Sequence, residues 1–402
     1  MPRAFEGVRV VEFAQVISGP MAASLLGFLG ADVIKVETPG EGDQGRRMMD
    51  AGPLAGKNMS TMFQGLNTGK RSLGLNLKHA DAREVVRRLV AQADVVVENL
   101  RPGVMESLGY GYAAVRAMRE TIIYCSISGF GQTGPKKGAA AYDGAVQAAS
   151  GMMLVNGIDG QGPLRVGFPV IDAAAGMTAA FAVASALYRR AQTGEGQYLD
   201  VGMLEAALSL MSPVVNAYLI SGVPPAQMGN TSVTRQPTAD VFPTADGFLQ
   251  VTALTATQLR ALWTALGRPE MADDPRMATV ESQAANAADI RVMLIECLRE
   301  HGVTEWVTRL GAAGVPCSPV LSLPEALAQE QLAFRDALTP IENPLGIDGM
   351  APAVVNAAFM ATPDGPHGST AAPLVGQHTD LVLAELGYSA EQIGALRNTG
   401  VV

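Results

Sequence analysis

The chain has little of several residue types, and each shortage excludes a class of protein. Its 402 residues contain three cysteines, an odd and widely spaced set that argues against a disulfide framework and favours a reducing compartment. The four histidines are scattered without metal-ligand spacing, so we expect no metal site. Aromatic residues make up only 5% while hydrophobic residues make up 48%, so Ala, Val, Leu and Met must fill most of the core.

Charge and hydropathy narrow the class further. The formal net charge of −9 argues against a nucleic-acid partner. No apolar run reaches the roughly 20 residues that a membrane span needs, and the first 15 residues lack the apolar core of a signal peptide. We therefore expect a cytoplasmic enzyme or binding protein that does not associate with membranes.

The first 130 residues alternate short β-branched runs with helical patterns. Strands are predicted at 8–14, 32–37, 73–77, 94–98 and 121–128, and helices at 21–29 and 82–93. Continuous apolar strands between helices are typical of a parallel sheet covered on both faces. The pattern predicts an α/β fold with a Rossmann-like parallel-sheet large domain.

Later segments predict a second domain and a return to the first. A long helix from Asp172 to about residue 191, a strand at 197–201 and another helix complete the N-terminal part of the large domain, 1–222. A smaller α/β domain with its linkers is predicted at 223–330, and 331–402 is expected to return to the large domain. The tail carries two short helical patterns, 379–386 and 390–397.

One glycine motif resembles a dinucleotide fingerprint. Residues 129–134 read GFGQTG and follow a predicted strand, where a GxGxxG would bind a pyrophosphate. The fingerprint needs its last glycine to open a helix, but Pro135 and Lys136 follow here, and no acidic residue closes a second strand. A turn-rich active-site loop is the better interpretation.

Cations recur where the predicted strands end. Lys78, Arg101 and Lys136 each follow a strand, and ligands of open parallel sheets bind at those ends. Such cations suit a ligand that carries phosphate, although each one alone is as well explained by solvated surface charge.

Asp172 begins an Ala-rich helix in the sequence VIDAAAG. An N-cap is the ordinary role of such an aspartate. A nucleophilic carboxylate is compatible with that role, because small neighbours leave room for a substrate and a helix N-terminus favours the ionised form. Asp143 is a rival carboxylate whose ordinary role is a loop hydrogen-bond acceptor.

Several strings, in order, resemble the family III CoA transferases, the CaiB/BaiF group that includes formyl-CoA and crotonobetaine CoA transferases. The resemblance covers essentially the whole chain. The strings are LLGFLGADVIKVE (25–37), GKRS (69–72), SGFG (128–131), TGEGQ (193–197) and LVGQHT (374–379).

This resemblance implies a CoA transfer between an acyl-CoA and a carboxylic acid, with CoA as a substrate and no tightly bound cofactor. Asp172 would be the nucleophile, passing through an aspartyl mixed anhydride and an aspartyl-CoA thioester. The substrate is expected to be a small organic or dicarboxylic acid, and the protein an interlocked homodimer. Positions matching the family's CoA contacts are Gln15, Ile17, Ser18, Leu75, Lys78, Asn99, Leu100, Arg101 and Tyr142.

The match has departures. Two phosphate arginines of the formyl-CoA transferases are replaced here by Thr38 and Ser107, so Arg46, Arg101 or Lys136 would have to substitute. The glycine-rich loop of those enzymes is not recognisable, which argues against formate and oxalate chemistry.

Two alternatives stay open. The same fold hosts acyl-CoA racemases, which pair the aspartate with a histidine because inverting a carbon needs a base on each face. This chain has Tyr142 at the expected histidine, which disfavours racemisation. The other alternative is a protein that binds CoA without catalysis.

Overall fold

The computed structural model describes residues 3–368 and 370–402. It divides into two compact units, the first formed by Met1–Met152, Val166–Ser221 and Glu330–Val402 and the second by Met153–Arg165 and Gly222–Gln329. The segment Met153–Arg165 therefore groups with the second unit, whereas the sequence analysis placed it in the large domain.

The first unit is built on a six-stranded sheet in which every neighbouring pair is parallel. The strand order is β3-β2-β1-β4-β5-β6. This confirms the predicted α/β class with a parallel sheet. The strands are β1 Arg9–Glu12, β2 Asp32–Glu37, β3 Arg71–Gly74, β4 Val95–Glu98, β5 Ile123–Ser128 and β6 Gln197–Gly202.

Helices cover both faces of this sheet, which explains why its strands are apolar at successive positions. Val10 packs into the core on one face and Val11 into the core on the other. Along residues 1–221 the α-helices are α1 Ser18–Gly27, α2 Thr61–Asn67, α3 Ala82–Ala91, α4 Val104–Leu108, α5 Tyr112–Met118, α6 Asp143–Ala149, α7 Met152–Val155, α8 Val170–Thr193, α9 Met203–Leu210 and α10 Ser212–Ser221. All of α7 except Met152 groups with the second unit. Short 3₁₀ helices lie at Gln44–Arg47 and Gly52–Leu54.

Helix α8 is 24 residues long and apolar enough, by length and composition, to cross a membrane, as is the bent pair α9–α10. The sequence contains no uninterrupted apolar run of about 20 residues, and in this helix Asp172 and Arg189 bound the apolar run. One stripe of α8 is buried at Ile171, Ala175, Ala179 and Val183, spaced by four residues. These side chains belong to a core on one face of the sheet, as in the central helix of a globular domain.

The second unit has a three-stranded antiparallel sheet, β7 Ala239–Pro243, β8 Phe248–Thr252 and β9 Cys317–Pro319, in that order. Its core includes the buried side chains of Trp263 and Trp306. Its helices are α11 Ala256–Ala265, α12 Val280–Ala285, α13 Ala287–Leu298, α14 Val303–Ala312 and α15 Leu323–Leu327, with 3₁₀ helices at Pro269–Asp273 and Pro275–Met277.

The C-terminal segment packs into the first unit. It contains α16 Glu330–Phe334, the antiparallel pair β10 Leu338–Pro340 and β11 Ala353–Val355, α17 Thr379–Glu385 and α18 Ala390–Asn398. Thr379 at the start of α17 accepts a hydrogen bond from the backbone of Gly74 at 3.0 Å. The backbone N–H of Asn76 donates to the carbonyl of Val401 at 2.8 Å. The tail thus closes over the end of β3.

Candidate active site

A cavity of about 220 Å³ lies where the carboxyl ends of β1, β4 and β5 meet. These three strands are neighbours in the sheet, and the chain order reverses between β1 and β4. Ligands of open α/β sheets bind at such a reversal. The lining residues all belong to the first unit: Gln15, Val16, Ser18, Gln44, Asn99, Leu100, Arg101, Pro102, Ile127, Ser128, Gly129, Ala139, Ala140, Ala141, Tyr142, Asp172 and Met203.

Asp172 reaches this cavity from the first turn of α8. The helix begins at Val170 with Pro169 at its N-cap position, so the prediction that Asp172 is the N-cap was wrong. The capping is done by Asp143 of α6, whose carboxylate accepts hydrogen bonds from the backbone N–H groups of Ile171 at 2.7 Å and Asp172 at 3.2 Å. Because another carboxylate caps the helix, the side chain of Asp172 remains available to a ligand.

The environment raises the pKa of Asp172 to about 6. Burial is the main cause, the nearby charge of Asp143 adds to it, and a hydrogen bond from Ser18 opposes both. Burial therefore outweighs the expected preference of a helix N-terminus for the ionised form. At neutral pH the carboxylate is still mostly ionised, and its desolvation makes it a better nucleophile than an exposed aspartate.

The turn between β1 and α1 positions Ser18, the first residue of α1, whose hydroxyl contacts Asp172. Asn99, just after β4, fixes this turn by accepting from the N–H of Gln15 at 2.8 Å and donating to the carbonyl of the same residue at 2.8 Å. The amide of Asn99 also donates to Ser18 Oγ at 3.2 Å. Ser18 can then use its own proton for the carboxylate of Asp172.

Seven of the predicted site residues share this cavity. They are Gln15, Ser18, Asn99, Leu100, Arg101, Tyr142 and Asp172. Arg101 is exposed, so its guanidinium is free to approach a phosphate or carboxylate. Tyr142 is 68% exposed and lies immediately before α6.

Arg46 cannot serve as a phosphate ligand, and this prediction was wrong. Its side chain is fully buried and makes a bidentate ion pair with Glu37 at 2.8 and 2.7 Å. The guanidinium also donates to the carbonyl of Pro373 and stacks over Phe63 at 3.7 Å from the ring centre. A cation with these partners has a structural role.

Four other predicted positions lie outside the cavity. The side chain of Leu75 is 1% exposed in the core beneath α3, so only its backbone could meet a ligand. Ile17 lines a neighbouring apolar cavity of about 480 Å³ that also contains Met21, Met49 and Met62. Lys78, after β3, and Lys136 are both exposed, and the ammonium of Lys136 lies 5.3 Å from the ring centre of Phe130.

The glycine motif at 129–134 forms a loop, as predicted. The next helix, α6, begins only at Asp143, so no helix N-terminus follows the last glycine. The N–H of Gln132 donates to both carboxylate oxygens of Asp200, which ties the loop to β6. Gly129 and the small residues 139–141 then form one wall of the cavity.

The cavity is also lined by Val16, Gln44, Ser128 and Met203, which were not predicted from the sequence. Ser128 is notable because its hydroxyl is buried and has no hydrogen-bond partner among the residues that the structure describes. Its place at the carboxyl end of β5 was a usable signal, because the same reasoning singled out Arg101 after β4.

Glu98, at the end of β4, supports the same wall. Its buried carboxyl accepts a hydrogen bond from the N–H of Leu100 at 2.8 Å. Burial raises the pKa of Glu98 to about 7, while hydrogen bonds from Ser126 and Leu100 oppose the rise. Glu98 is therefore a second group whose charge changes near neutral pH, one residue from Asn99.

A model of one protein family, described as CoA-transferase family III, matches residues 5–379. Among curated proteins, the chain is 36% identical over 389 residues to a succinate–glutarate CoA-transferase of Agrobacterium fabrum, covering 94% of this chain and 95% of that one. It is 36% identical over 335 residues to an acetyl-CoA:oxalate CoA-transferase of Acetobacter aceti, covering 83% and 85%.

Among solved structures, the fold is similar to a CaiB/BaiF family protein from Brucella suis. The TM-score is 0.85 and the sequence identity 31%, covering 96% of this chain and 100% of that one.

Proposed function

The chain belongs to CoA-transferase family III, and from that premise we propose that it moves CoA from an acyl-CoA to a carboxylic acid through Asp172. One observation carries the proposal. Asp172 is a desolvated carboxylate that faces a cavity at the carboxyl ends of three parallel strands, while another carboxylate caps its helix.

The chemistry follows from a carboxylate in this position. A carboxylate oxygen of Asp172 attacks the thioester carbonyl, and the CoA thiolate leaves to give an acyl-aspartyl anhydride. The thiolate then attacks the aspartyl carbonyl, releasing the donor acid and forming an aspartyl-CoA thioester. The acceptor carboxylate reverses the two steps and leaves as the new acyl-CoA. Since each step exchanges bonds of similar energy, positioning matters more than driving force.

Each attack places negative charge on a carbonyl oxygen, which needs a hydrogen-bond donor in the cavity. The hydroxyl of Ser128 is buried in the wall and unpartnered among the described residues, so it can turn to donate to such an oxygen. The backbone N–H of Ser18, in the first turn of α1, has no intrahelical acceptor and is a second candidate donor.

Trapping the covalent intermediate tests the proposal. Wild-type enzyme incubated with acyl-CoA and then hydroxylamine should carry a hydroxamate on Asp172, detected by mass spectrometry of the tryptic peptide. Asp172→Asn should lose transfer and labelling, whereas Asp159→Asn, at an exposed turn, should keep both. Transfer by Asp172→Asn at the wild-type rate would overturn the mechanism, and CoA binding without transfer would favour a non-catalytic protein.

Racemisation makes a different demand on the same cavity. It needs a second base, and no histidine is found among the described residues that line the cavity. Exchange of the α-proton in deuterated water, without any acceptor acid, would favour a racemase. We expect no exchange above the rate without enzyme.

We propose a small organic or dicarboxylic acid as the acceptor. Two relatives, the succinate–glutarate and acetyl-CoA:oxalate CoA-transferases, are named for acids of this class, which supports the proposal. The cavity of about 220 Å³ has room for an acid of that size beside the thioester end, and Arg101 offers a cation. A panel of acyl-CoA donors and carboxylate acceptors, analysed by mass spectrometry of the new thioesters, identifies the pair.

A Rossmann-like mode of CoA binding is part of the proposal. The strand order β3-β2-β1-β4-β5-β6 supports it, because this order is typical of nucleotide-binding sheets. With Arg46 excluded, the CoA phosphates are left to Arg101, Lys78 and Lys136. Loss of charge at Arg101 should raise the KM for acyl-CoA more than loss of charge at the other two, since Arg101 alone of these lines the cavity.

We further propose that the protein is a homodimer, interlocked as the family resemblance implies. All ten residues of α10 are at least partly exposed, although the helix is mostly apolar. Leu219 is 72% exposed and Ile220 86%. Contiguous apolar surface of this kind is typical of a protein interface, and a second copy of the chain is the partner we propose.

Finally, we propose a cytoplasmic location. Cys125, Cys297 and Cys317 are unpaired, and burial raises the pKa of each thiol, which suits a reducing compartment. Fractionation of the native host, with the enzyme detected by its transfer activity, tests this.

A further inference from the structure

The turn between β1 and α1, residues 13–17, has an unfavourable backbone conformation. Val16 has φ = +67°, in the left-handed region, which β-branched residues rarely adopt. Such a conformation costs on the order of 1–3 kcal/mol and persists only where the surroundings impose it. Val16 lines the cavity of Asp172, so the strain lies in the wall of the site.

A buried ion cluster imposes this conformation. Lys35 of β2 is fully buried, and its ammonium contacts Glu12 at 2.7 Å, Asp43 at 2.9 Å and the carbonyl of Ala14 at 2.8 Å. Lys70 contacts the other oxygen of Glu12 at 2.7 Å and the carbonyl of Pro20 at 2.8 Å. The two lysines therefore bind backbone oxygens before and after Val16, those of Ala14 and Pro20.

Asp43 completes the cluster at Val16. Its Oδ1 accepts from the N–H of Val16 at 3.0 Å and of Gly45 at 2.7 Å. Burial alone would raise the pKa of Asp43, but the charge of Lys35 and the hydrogen bonds it receives lower it. The carboxylate thus stays ionised and accepts the hydrogen bond from the strained Val16.

The turn controls the hydrogen bond to the nucleophile. Ser18 follows it directly, donates to Asp172 and accepts from Asn99. A displaced turn would rotate Ser18 away from Asp172 and leave that carboxylate facing Asp143 without the hydroxyl that lowers its pKa. None of the clustered charges reaches the cavity, so their effect on the reaction passes through the turn.

We propose that Asp43 and Lys35 are positioning residues of CoA transfer, which hold residues 13–17 against the strain at Val16 so that Ser18 contacts Asp172. The proposal rests on the proposed function, because it concerns the nucleophile of that reaction. It also assigns a role to the buried Lys35, which does not line the cavity.

The test measures the rate at which saturating acyl-CoA forms the covalent adduct on Asp172, by rapid quench and intact mass spectrometry between pH 5 and 8. Asp43→Asn should slow the adduct about 10- to 100-fold. It should also move the acidic limb of the profile to higher pH, because Asp172 loses the donor that favours its ionised form. Ser18→Ala should give the same shift, and the double variant should be no worse than either single one.

Asp32→Asn is the matched control. Asp32 lies on β2, as Lys35 does, and pairs with Arg9 and Arg71 at the start of the strand. The Asp32→Asn variant should have a lower melting temperature and an adduct rate within about twofold of wild type. If Asp43→Asn does not fold, the double variant Asp43→Asn with Val16→Gly is measured instead. Glycine adopts a positive φ without strain, so this double variant should fold and recover most of the rate.

Each result decides between the two proposals. Suppose that the wild-type enzyme forms the adduct. If Asp43→Asn forms it at the same rate, or if the pH shifts of the Asp43 and Ser18 variants add in the double variant, the positioning role alone is overturned. No recovery with Val16→Gly would overturn it as well. If wild-type enzyme forms no adduct with any donor on the panel, the proposed function fails and this role fails with it.

Discussion

At the scale of the residue, Asp172 links activity and stability through its protonation. Its pKa is about 6 in the folded chain against 3.8 for the free side chain. Below pH 4 both states are protonated. Between pH 4 and 6 only the unfolded chain releases the proton, so the folded state loses relative stability as pH rises. The charge that the proposed reaction needs at pH 7 therefore destabilises the fold.

Asp172→Asn should consequently be more stable than wild type at pH 7.5. The difference of roughly two pKa units corresponds to an increase in the free energy of unfolding of about 1–3 kcal/mol. Urea unfolding at pH 7.5 and pH 4.5 checks this, since the gain should shrink toward zero at the lower pH. A variant less stable than wild type at pH 7.5 would contradict the burial of a charged Asp172.

Replacing Ser128 should affect activity more than stability, whereas replacing an ordinary buried serine affects stability more than activity. Removing a hydroxyl that has no partner costs little stability, so Ser128→Ala should melt within about 2 °C of wild type or higher. If the hydroxyl stabilises the oxyanion, kcat should fall roughly 10- to 1000-fold with little change in KM.

Ser126→Ala is the comparison for Ser128, because Ser126 lies two residues earlier on β5 and is already bonded to Tyr198 and Glu98. It should lower the melting temperature more than it lowers kcat. A rise in KM alone for Ser128→Ala would contradict the oxyanion role.

At the scale of the element, α1 and α8 meet at Gly176. A methyl group there would lie 2.8 Å from the carbonyl oxygen of Ser18 and 2.9 Å from Cβ of Met21. Gly176→Ala should therefore push the two helices apart and destabilise the fold by about 1–3 kcal/mol. Activity should fall as well, because Ser18 and Asp172 sit on these two helices.

Gly394→Ala provides the control for Gly176. Gly394 lies inside α18 with open space around its Cβ direction, so alanine there should stabilise by about 0.5–1 kcal/mol through helix propensity. Thermal melts and specific activities of both variants check the pair. Equal stability of the two variants would contradict the close approach of α1 and α8.

The strands were predictable because their signal is local. The run VVV of β4 is apolar at each position, and the rule for parallel sheets directs attention to the residues that follow such strands, Arg101 among them. Asn99 and Gln15 were predicted from the family resemblance. The fate of Arg46 was not predictable in this way. Its partners Glu37 and Pro373 are 9 and 327 residues away, and only the folded chain shows that the cation is buried. The same holds for Val16, whose positive φ is imposed by Asp43, 27 residues later.

At the scale of the whole molecule, the apolar surface of α10 predicts self-association. Light scattering should give twice the mass of the 41.8 kDa chain. Leu219→Asp with Ile220→Asp should produce monomer or aggregate, because an apolar interface would leave the two new carboxylates desolvated and unpaired. Val292→Asp, at an exposed position of α13, should keep the wild-type mass. A wild-type monomer would contradict the proposal.

The assignment of residues 153–165 to the second unit could not be predicted from the sequence either. Residues 153–165 join the second unit although residues on both sides of them belong to the first. The N–H of Gly229 donates to the carbonyl of Gly157 at 2.8 Å, and the side chain of Gln227 donates to the carbonyl of Asn156 at 2.7 Å. Such pairings between distant loops leave no periodic pattern in the sequence.

The two walls of the cavity differ in how freely they can change. The turn at 13–17 is tied to buried charges, so most replacements there would endanger folding before they altered specificity. In the opposite wall, Ala139 and Ala140 are exposed, whereas Ala141 packs against the core beside Gly129. Natural divergence and laboratory selection for new acids should therefore concentrate on residues 139 and 140, where larger or polar side chains can reshape the cavity without disturbing Asp172.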